Sequence, residues 1–385
     1  MTSCIHIARW LAVAAMVGLV GGLGSCRPAT VRPVQPGETV YFVPNTNRML
    51  ALTFDDGPNG AATEKILDTL KHFNVKATFF LIGTNVNRYP EIARRIVREG
   101  HQVGNHTFSH PRFDRISFQE MTREIDAGAN AISGATGVKP TWFRPPFGIN
   151  GFGLEEICRA KGYAIAGWSG HAGDWNPHCA VEIAERIITQ ATPGDILLLH
   201  DGRETRTDSD RQSTVDAVYL ILERLTREGF RFVTLAELRR HAGPPLAEFA
   251  NGVRLLGLHL QADPSYPGAE RYIRYFWDVP AGWKTGSSAA FVHFEAGGGF
   301  RFQDDHQLPP RGDVWDLTVE RVLIIPSNAS LGRYQGRIGL FNPARPDVRH
   351  RVPIRSAAMY RKGAVILPDF LDIRKKSKKP VPAEE

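Results

Sequence analysis

From Met49 onward the apolar residues follow a repeating pattern. A short continuous apolar run is followed by a polar loop, then by a segment whose apolar positions recur every three to four residues. The short runs predict strands over 49–54, 78–82, 102–105, 141–143, 163–168, 195–199 and 231–234. The periodic segments predict helices over 62–72, 90–99, 117–133, 154–160, 180–188 and 214–228. Ser117 is placed to cap the third of these, with Glu120 three residues on as its capping-box partner. Alternating strands and helices predict an α/β fold, a parallel sheet covered by helices, open or closed into a barrel. Seven strands fall short of the eight in a complete (β/α) barrel.

Gly243-Pro244-Pro245 marks a change of texture. Beyond it, aromatic and β-branched runs at 253–258, 271–277, 289–294, 318–325 and 334–341 alternate with Gly, Pro, Asn and Asp clusters. That is an all-β pattern, most simply a smaller sandwich-like domain. The expected organisation is an α/β domain over 48–242, a β-rich accessory domain over 250–370 and a basic flexible tail over 371–385. Residues 374–379 carry five positive charges in six positions, read as a solvated tail in preference to a dock for an anionic surface.

The N-terminus has a different pattern. Arg9 is the sole formally charged residue before position 27, and an apolar run from Trp10 to Val20 leads into Gly21-Gly22-Leu23-Gly24-Ser25-Cys26. This is the layout of a secretory signal, too short and glycine-rich for a membrane span. Leu23-Gly24-Ser25-Cys26 also resembles a bacterial lipobox, which implies a signal peptide over 1–26 and lipidation of Cys26. Plain signal cleavage near Ser25 is the alternative. The expected product is exported and held in the bacterial cell envelope by a lipid anchor, periplasmic or on the outer surface, with 27–47 as a Pro-rich tether.

Composition narrows the choices. The 385 residues are 42% hydrophobic and 10% aromatic, which is ordinary globular composition. The net charge of +7 is compatible with an anionic partner, a cell-wall polymer among others, without choosing one. Export and the confinement of the basic cluster to a tail argue against nucleic acid. Four cysteines are too few for a disulfide scaffold. Cys158 and Cys179 flank one predicted strand, so either a disulfide or two separate thiols is open.

Five short constellations carry chemistry. Thr53-Phe54-Asp55-Asp56-Gly57-Pro58 ends the first strand; paired carboxylates repel, so one is suited to a cation and the other to a base, although the same residues also make a plain turn. His106-Thr107-Phe108-Ser109-His110 follows the third strand, and histidines at i and i+4 share one face of a helical turn and can chelate a cation. Arg144-Pro145-Pro146-Phe147-Gly148 offers a stiff loop and a guanidinium able to fork onto a carboxylate, or else a rigid surface turn. Asp174-Trp175 and Leu198-Leu199-His200-Asp201 complete the set, each readable alone as ordinary loop and strand-end residues. All five fall at C-terminal ends of predicted parallel strands, the edge where such folds build active sites.

In this order the motifs resemble the polysaccharide deacetylases, the NodB-homology group also called carbohydrate esterase family 4. The resemblance covers about half the chain, residues 48–242. It implies a distorted (β/α)7-type barrel and metal-dependent removal of N- or O-acetyl groups from a polysaccharide. It makes Asp55 the general base, His200 the general acid, and Asp56, His106 and His110 the metal ligands. Arg144 is then expected beside Asp55, and Asp174 beside His200. Trp175 and Leu198 would border the acetyl methyl, and the Phe147 backbone N–H would help hold the oxyanion. One carboxylate and two imidazoles suit Zn²⁺ first, with Co²⁺, Ni²⁺ or Mn²⁺ able to serve. His171 stands where the family often carries a further Asp before Asp-Trp, which bears on the substrate groove.

The expected substrate is an N-acetylated polysaccharide containing N-acetylglucosamine, either peptidoglycan or an exopolysaccharide. An O-acetyl esterase on xylan-like glycans, and a non-catalytic glycan-binding envelope lipoprotein, are the alternatives. Of the aromatics in the β region, Trp277, Trp283 and Trp315 could stack on sugars, but core packing is the expected role.

Overall fold

The structure is a computed structural model that describes residues 35–374, apart from 46, 207, 261–264, 281–282, 284–286, 297–300, 309–317, 345–353, 358–359 and 362–363. Cys26, the signal segment, Trp315 and residues 375–385 lie outside the described residues, and the expected flexible tail does not begin at 371, because a strand runs to Ile373.

Nine strands form the first sheet: β1 (Thr39–Val40), β2 (Met49–Gly57), β3 (Thr78–Leu81), β4 (Gln102–Asn105), β5 (Trp142–Phe143), β6 (Ala164–Ala166), β7 (Gly170–His171), β8 (Ile196–His200) and β9 (Arg231–Phe232). All pairings in it are parallel, in the order β1-β6-β5-β4-β3-β2-β8-β7, with β9 beside β2. Eight helices cover it: α1 (Gly60–His72), α2 (Gly83–Arg88), α3 (Pro90–Arg98), α4 (Phe118–Thr136), α5 (Leu154–Lys161), α6 (Ala180–Gln190), α7 (Gln212–Arg227) and α8 (Leu235–Arg240). This is the distorted (β/α) barrel expected from the resemblance.

Period-two alternation decides which side chains reach the barrel interior. Along β2, Leu50, Leu52 and Phe54 join the core beneath α1, α3, α6 and α7, while Met49 and Ala51 join a second cluster with Val43, Phe80 and Ile196. The same inner row continues through Thr53 to Asp55. On β8, Leu197 and Leu199 pack with the helices, which leaves Leu198 and His200 on the inner row beside Asp55. The strands are apolar almost throughout because both faces are covered, and polarity appears only at their C-terminal ends.

The capping box at Ser117 and Glu120 forms as predicted: Ser117 N–H donates to Glu120 Oε2 at 2.8 Å, and Glu120 N–H to Ser117 Oγ at 3.3 Å. Some expectations are corrected. The expected tether does not reach residue 47, because β1 pairs with β6 and Tyr41, Phe42 and Val43 are buried. The apolar run from Val40 to Val43 outweighs the Pro-rich composition before it. β6 ends at Ala166 and not at 168, since the carbonyls of Ala166 and Gly167 accept hydrogen bonds from Arg144. The short elements α2, α8, β1 and β7 were not predicted. Cys158 is buried and Cys179 exposed, and both are free thiols.

The C-terminal part is two antiparallel sheets. One contains β10 (Ala247–Phe249), β11 (Arg254–Leu260), β12 (Glu270–Asp278), β16 (Thr318–Ile324) and β18 (Ile354–Ala357), in the order β16-β12-β11-β10-β18. The other contains β13 (Ala289–Ala296), β14 (Arg301–Gln303), β15 (His306–Gln307), β17 (Gly332–Phe341), β19 (Tyr360–Arg361) and β20 (Ala364–Ile373). Residues from both sheets share one core, including Tyr275, Trp277, Phe294, Tyr334 and Leu371, as a sandwich requires. Trp277 is fully buried in this core and Trp283, partly buried, packs against the core, so for these two the core role holds.

Candidate active site

The C-terminal rim of the parallel sheet surrounds a cavity of about 470 Å³, lined by Asp55, Asp56, His106, His110, Phe147, Trp168, Trp175, Leu198, His200 and Arg211 among others. Of the ten barrel residues singled out from the sequence, eight line it directly. The other two, Arg144 and Asp174, stand immediately behind it, each bonded to a lining side chain.

Asp55 is held from below. Arg144 Nη1 donates to Asp55 Oδ1 at 2.8 Å and to Thr53 Oγ1 at 2.9 Å. The remaining guanidinium bonds run to the carbonyls of Ala166 and Gly167, and its plane lies over the Phe80 ring. Burial lowers the Arg144 pKa, and the Asp55 carboxylate works against that shift.

Asp56, His106 and His110 form the second group, with one ligand atom from each within 4.8 Å of the others. His110 Nε2 is 3.2 Å and His106 Nε2 3.6 Å from Asp56 Oδ1. The tautomer of His106 is fixed, because its Nδ1 lies 2.7 Å from the Arg144 carbonyl, which can only accept. Nδ1 therefore carries the proton and Nε2 presents a lone pair. Burial, then the neighbouring His110, depress the His106 pKa to about 3, which keeps the ring neutral. Asp56 Oδ1 is buried and has no hydrogen-bond donor among the described residues, while Glu204 N–H holds Oδ2 at 2.8 Å. An orphaned carboxylate oxygen facing two imidazoles is a donor set that fits a divalent cation.

The two histidines do not sit on a helical turn, contrary to the spacing argument. Thr107 and His110 have φ of 70° and 62°, and the loop is pinned from outside. Glu124 of α4 accepts from the N–H groups of Phe108 and Ser109, and Thr107 Oγ1 accepts from His110 N–H at 3.0 Å. Asp56 and Phe147 are also left-handed, with φ of 72° and 59°, so backbone strain gathers at the cavity.

His200 occupies the opposite wall. Its Nδ1 is 2.9 Å from Asp174 Oδ1, which leaves Nε2 for other work. Asp174 Oδ2 accepts three further bonds: from His200 N–H at 2.9 Å, Arg211 Nη2 at 2.6 Å and Thr214 Oγ1 at 3.1 Å. Burial alone would lower the His200 pKa, but Asp174, with Asp56 and Asp55 beyond it, raises it to about 9. The Asp174 pKa is lowered: burial pushes it up, and His200 and Arg211 more than offset that. Trp175 stands edge-on to His200 with ring centroids 5.5 Å apart, and His171 stacks on Trp175 at 5.1 Å.

Sequence reasoning missed Arg211, and it named Asp201 in the fifth motif without giving it a role. Arg211 lies in a polar run, Asp208 to Gln212, that carries no signal of its destination. Asp201 is buried beneath the cavity, bonded by Thr63 Oγ1 at 2.5 Å, and burial raises its pKa to about 7. Its place directly after His200 at a strand end was the available clue.

Two carboxylates and two imidazoles facing a third, carboxylate-held imidazole, at the rim of a parallel barrel, define a hydrolase site with room for a cation. The polysaccharide deacetylase family profile matches residues 43–166. A peptidoglycan-N-acetylglucosamine deacetylase of Bacillus cereus is 36% identical over 207 residues, which are 53% of this chain and 94% of that protein. A peptidoglycan-N-acetylglucosamine deacetylase of Listeria monocytogenes is 40% identical over 194 residues, 50% of this chain and 39% of that protein. A peptidoglycan-N-acetylmuramic acid deacetylase of Bacillus subtilis is 38% identical over 192 residues, 50% of this chain and 38% of that protein. The crystal structure of a peptidoglycan N-acetylglucosamine deacetylase, bound to a hydroxamate-type benzamide, aligns with a TM-score of 0.50 at 34% identity, over 54% of this chain and 94% of that one. The chain belongs to the polysaccharide deacetylase family and is an enzyme of that class.

Proposed function

We propose that the protein is a divalent-metal-dependent N-deacetylase of an N-acetylglucosamine-containing polysaccharide, peptidoglycan first, working in the cell envelope. The observation that carries this reading is the opposition, within one cavity, of the Arg144-held Asp55 and the Asp174-held His200 across the Asp56, His106 and His110 group. The curated relatives named for peptidoglycan support the choice of polymer. Envelope location rests on the lipobox-like Cys26 and its signal segment.

Asp56, His106 and His110 would hold the ion, Zn²⁺ first by donor set, with Co²⁺, Ni²⁺ or Mn²⁺ able to replace it. Such an ion supplies Lewis-acid polarisation of the acetyl carbonyl and acidifies water. Asp55, fixed by Arg144, takes a proton from the attacking water. Of the residues that line the cavity, Phe147 is assigned through its backbone N–H to the developing oxyanion, and Trp175 and Leu198 to the acetyl methyl. His200, kept protonated by Asp174, gives its proton to the leaving amine nitrogen, which departs poorly without one.

The test is acetate release by the metal-loaded protein from N-acetylglucosamine oligomers and from peptidoglycan, with Asp55→Asn as control. Release that disappears in the control is the expected result. No release from either, with release from an acetylated xylan, would replace the amide reading by the ester one. No release from any of them would leave a binding role.

A further inference from the structure

The C-terminal sandwich meets the barrel directly behind the segment that carries Asp174 and Trp175. Arg274 on β12 is the centre of that contact and is 5% exposed. Its Nη1 donates to the Ser169 carbonyl at 2.7 Å, and Nη2 donates to the Gln190 carbonyl and reaches Asp195 Oδ2 at 3.4 Å. Ser169 is held on its other sides by the barrel: its Oγ donates to Asp195 Oδ1 at 2.7 Å and accepts from Ile196 N–H at 3.1 Å. One residue on begins β7, Gly170–His171, which pairs with Leu197 and Leu198 of β8. Three residues further come Asp174 and Trp175. Asp195 is fully buried, and Arg274 is the cation paired with it.

We propose that Arg274 is a positioning residue for deacetylation, by which the C-terminal sandwich fixes the root of the loop holding Asp174 against His200. This rests on the function proposed above. The physical argument is one of anchoring. β7 has only two residues, too short to hold the loop by its own ladder. A planar guanidinium bonded to two carbonyls and a carboxylate fixes direction as well as distance. The interface has other contacts: His259 bonds Thr192 on the turn that ends at Asp195, Phe276 lies against the Arg274 guanidinium and stacks on Phe42 at 4.1 Å, and Tyr41 Oη bonds the Trp277 carbonyl. The Tyr41 bond is made to neither Arg274 nor the segment from 169 to 175.

The two kinds of contact can be separated by substitution in the full-length, metal-loaded protein. Arg274→Met removes the guanidinium at similar length, and Tyr41→Phe removes the bond to the Trp277 carbonyl. Both are expected to lower the thermal midpoint. Only Arg274→Met is expected to lower kcat, by about tenfold or more, with KM within about threefold, because the Asp174–His200 alignment matters most in the transition state. Arg274→Lys, which keeps a donor for the Ser169 carbonyl but not the planar fork, is expected to restore part of the loss. Hydrogen exchange gives a readout independent of turnover: amides over 170–176 are expected to exchange faster in Arg274→Met and unchanged in Tyr41→Phe. If Arg274→Met does not fold, Arg274→Gln takes its place with the same expected direction. Wild-type kcat and exchange in the Arg274 variant, or an equal kcat loss in Tyr41→Phe, would overturn the proposal. An inactive wild type would instead count against the deacetylase reading, and the exchange experiment would still decide the anchoring.

Discussion

Arg144 Nη1 lies 2.8 Å from Asp55 Oδ1, with the guanidinium wholly buried and its other nitrogens bonded to the Ala166 and Gly167 carbonyls. The pair has no solvent to fall back on. Asp55→Asn keeps an oxygen for Arg144 but removes the base, and acetate release is expected to fall by about 10²–10⁴-fold. Arg144→Met leaves a buried carboxylate without its partner and is expected to destabilise the fold by about 3–5 kcal/mol, read by urea unfolding. Near-normal turnover in Asp55→Asn would remove Asp55 from the base role.

The Asp174–His200 pair sets the alkaline side of the pH profile. His200 has a pKa of about 9, above its ordinary 6.5, so the acid form persists through neutral pH and kcat/KM is expected to fall as pH rises through about 9. The linked stability has the same sign: this group's contribution is complete below about 6.5 and is lost as pH rises through about 9. In Asp174→Asn burial acts on the imidazole with less opposition, so the alkaline limb moves to lower pH. A limb that stays in place would assign it to another group.

An amine leaves poorly without a proton, whereas an alkoxide leaves more readily. His200→Ala is therefore expected to reduce release from an N-acetyl substrate more than from an O-acetyl one, in paired assays on the same preparation. Equal losses on both would count against His200 as the acid.

Metal occupancy is measurable without turnover. Titrating Zn²⁺ into chelator-treated protein is expected to raise the unfolding midpoint, by about 2.7 kcal/mol of stabilisation at a hundredfold excess over Kd. His110→Ala and Asp56→Ala are expected to lose the shift and the bound metal found by elemental analysis. A full shift in both variants would place the ion elsewhere.

Gly202 backs onto the main chain of Asp56. A Cβ there would lie 2.1 Å from the Asp56 carbonyl oxygen, a backbone atom that cannot step aside. Gly202→Ala is expected to displace Asp56, cost about 1–3 kcal/mol and weaken metal binding. Crystals or thermal shifts of the variant showing an undisturbed site would refute this.

The long elements of the barrel and the strand-end motifs were legible in the sequence because apolar periodicity and chemistry coincide there, whereas the ten-residue β20 of the sandwich was not. β2, β8 and α4 announce themselves by pattern, and Ser117 with Glu120 by capping. The pattern cannot show what tertiary contacts create. α2 is six residues, too short for a period, and it buries Asn85 to bond the Asp56 carbonyl. The loop from His106 to His110 looks helical by spacing, yet Glu124, fourteen residues beyond His110, holds it in another shape. Arg211 and Arg274 look like surface arginines in one dimension, and only the fold turns them toward Asp174 and Ser169.

Tyr41 bonds a carbonyl 236 residues further along the chain, beside the place where Phe42 stacks on Phe276. A chain made from its N-terminus at about 5–20 residues per second leaves this aromatic pair waiting for roughly 10–50 s before its partners exist. The barrel can close its own core in that interval, but the seam on which Tyr41 and Phe42 sit cannot. A strand made late, β12, therefore finishes the burial of residues made more than two hundred positions earlier.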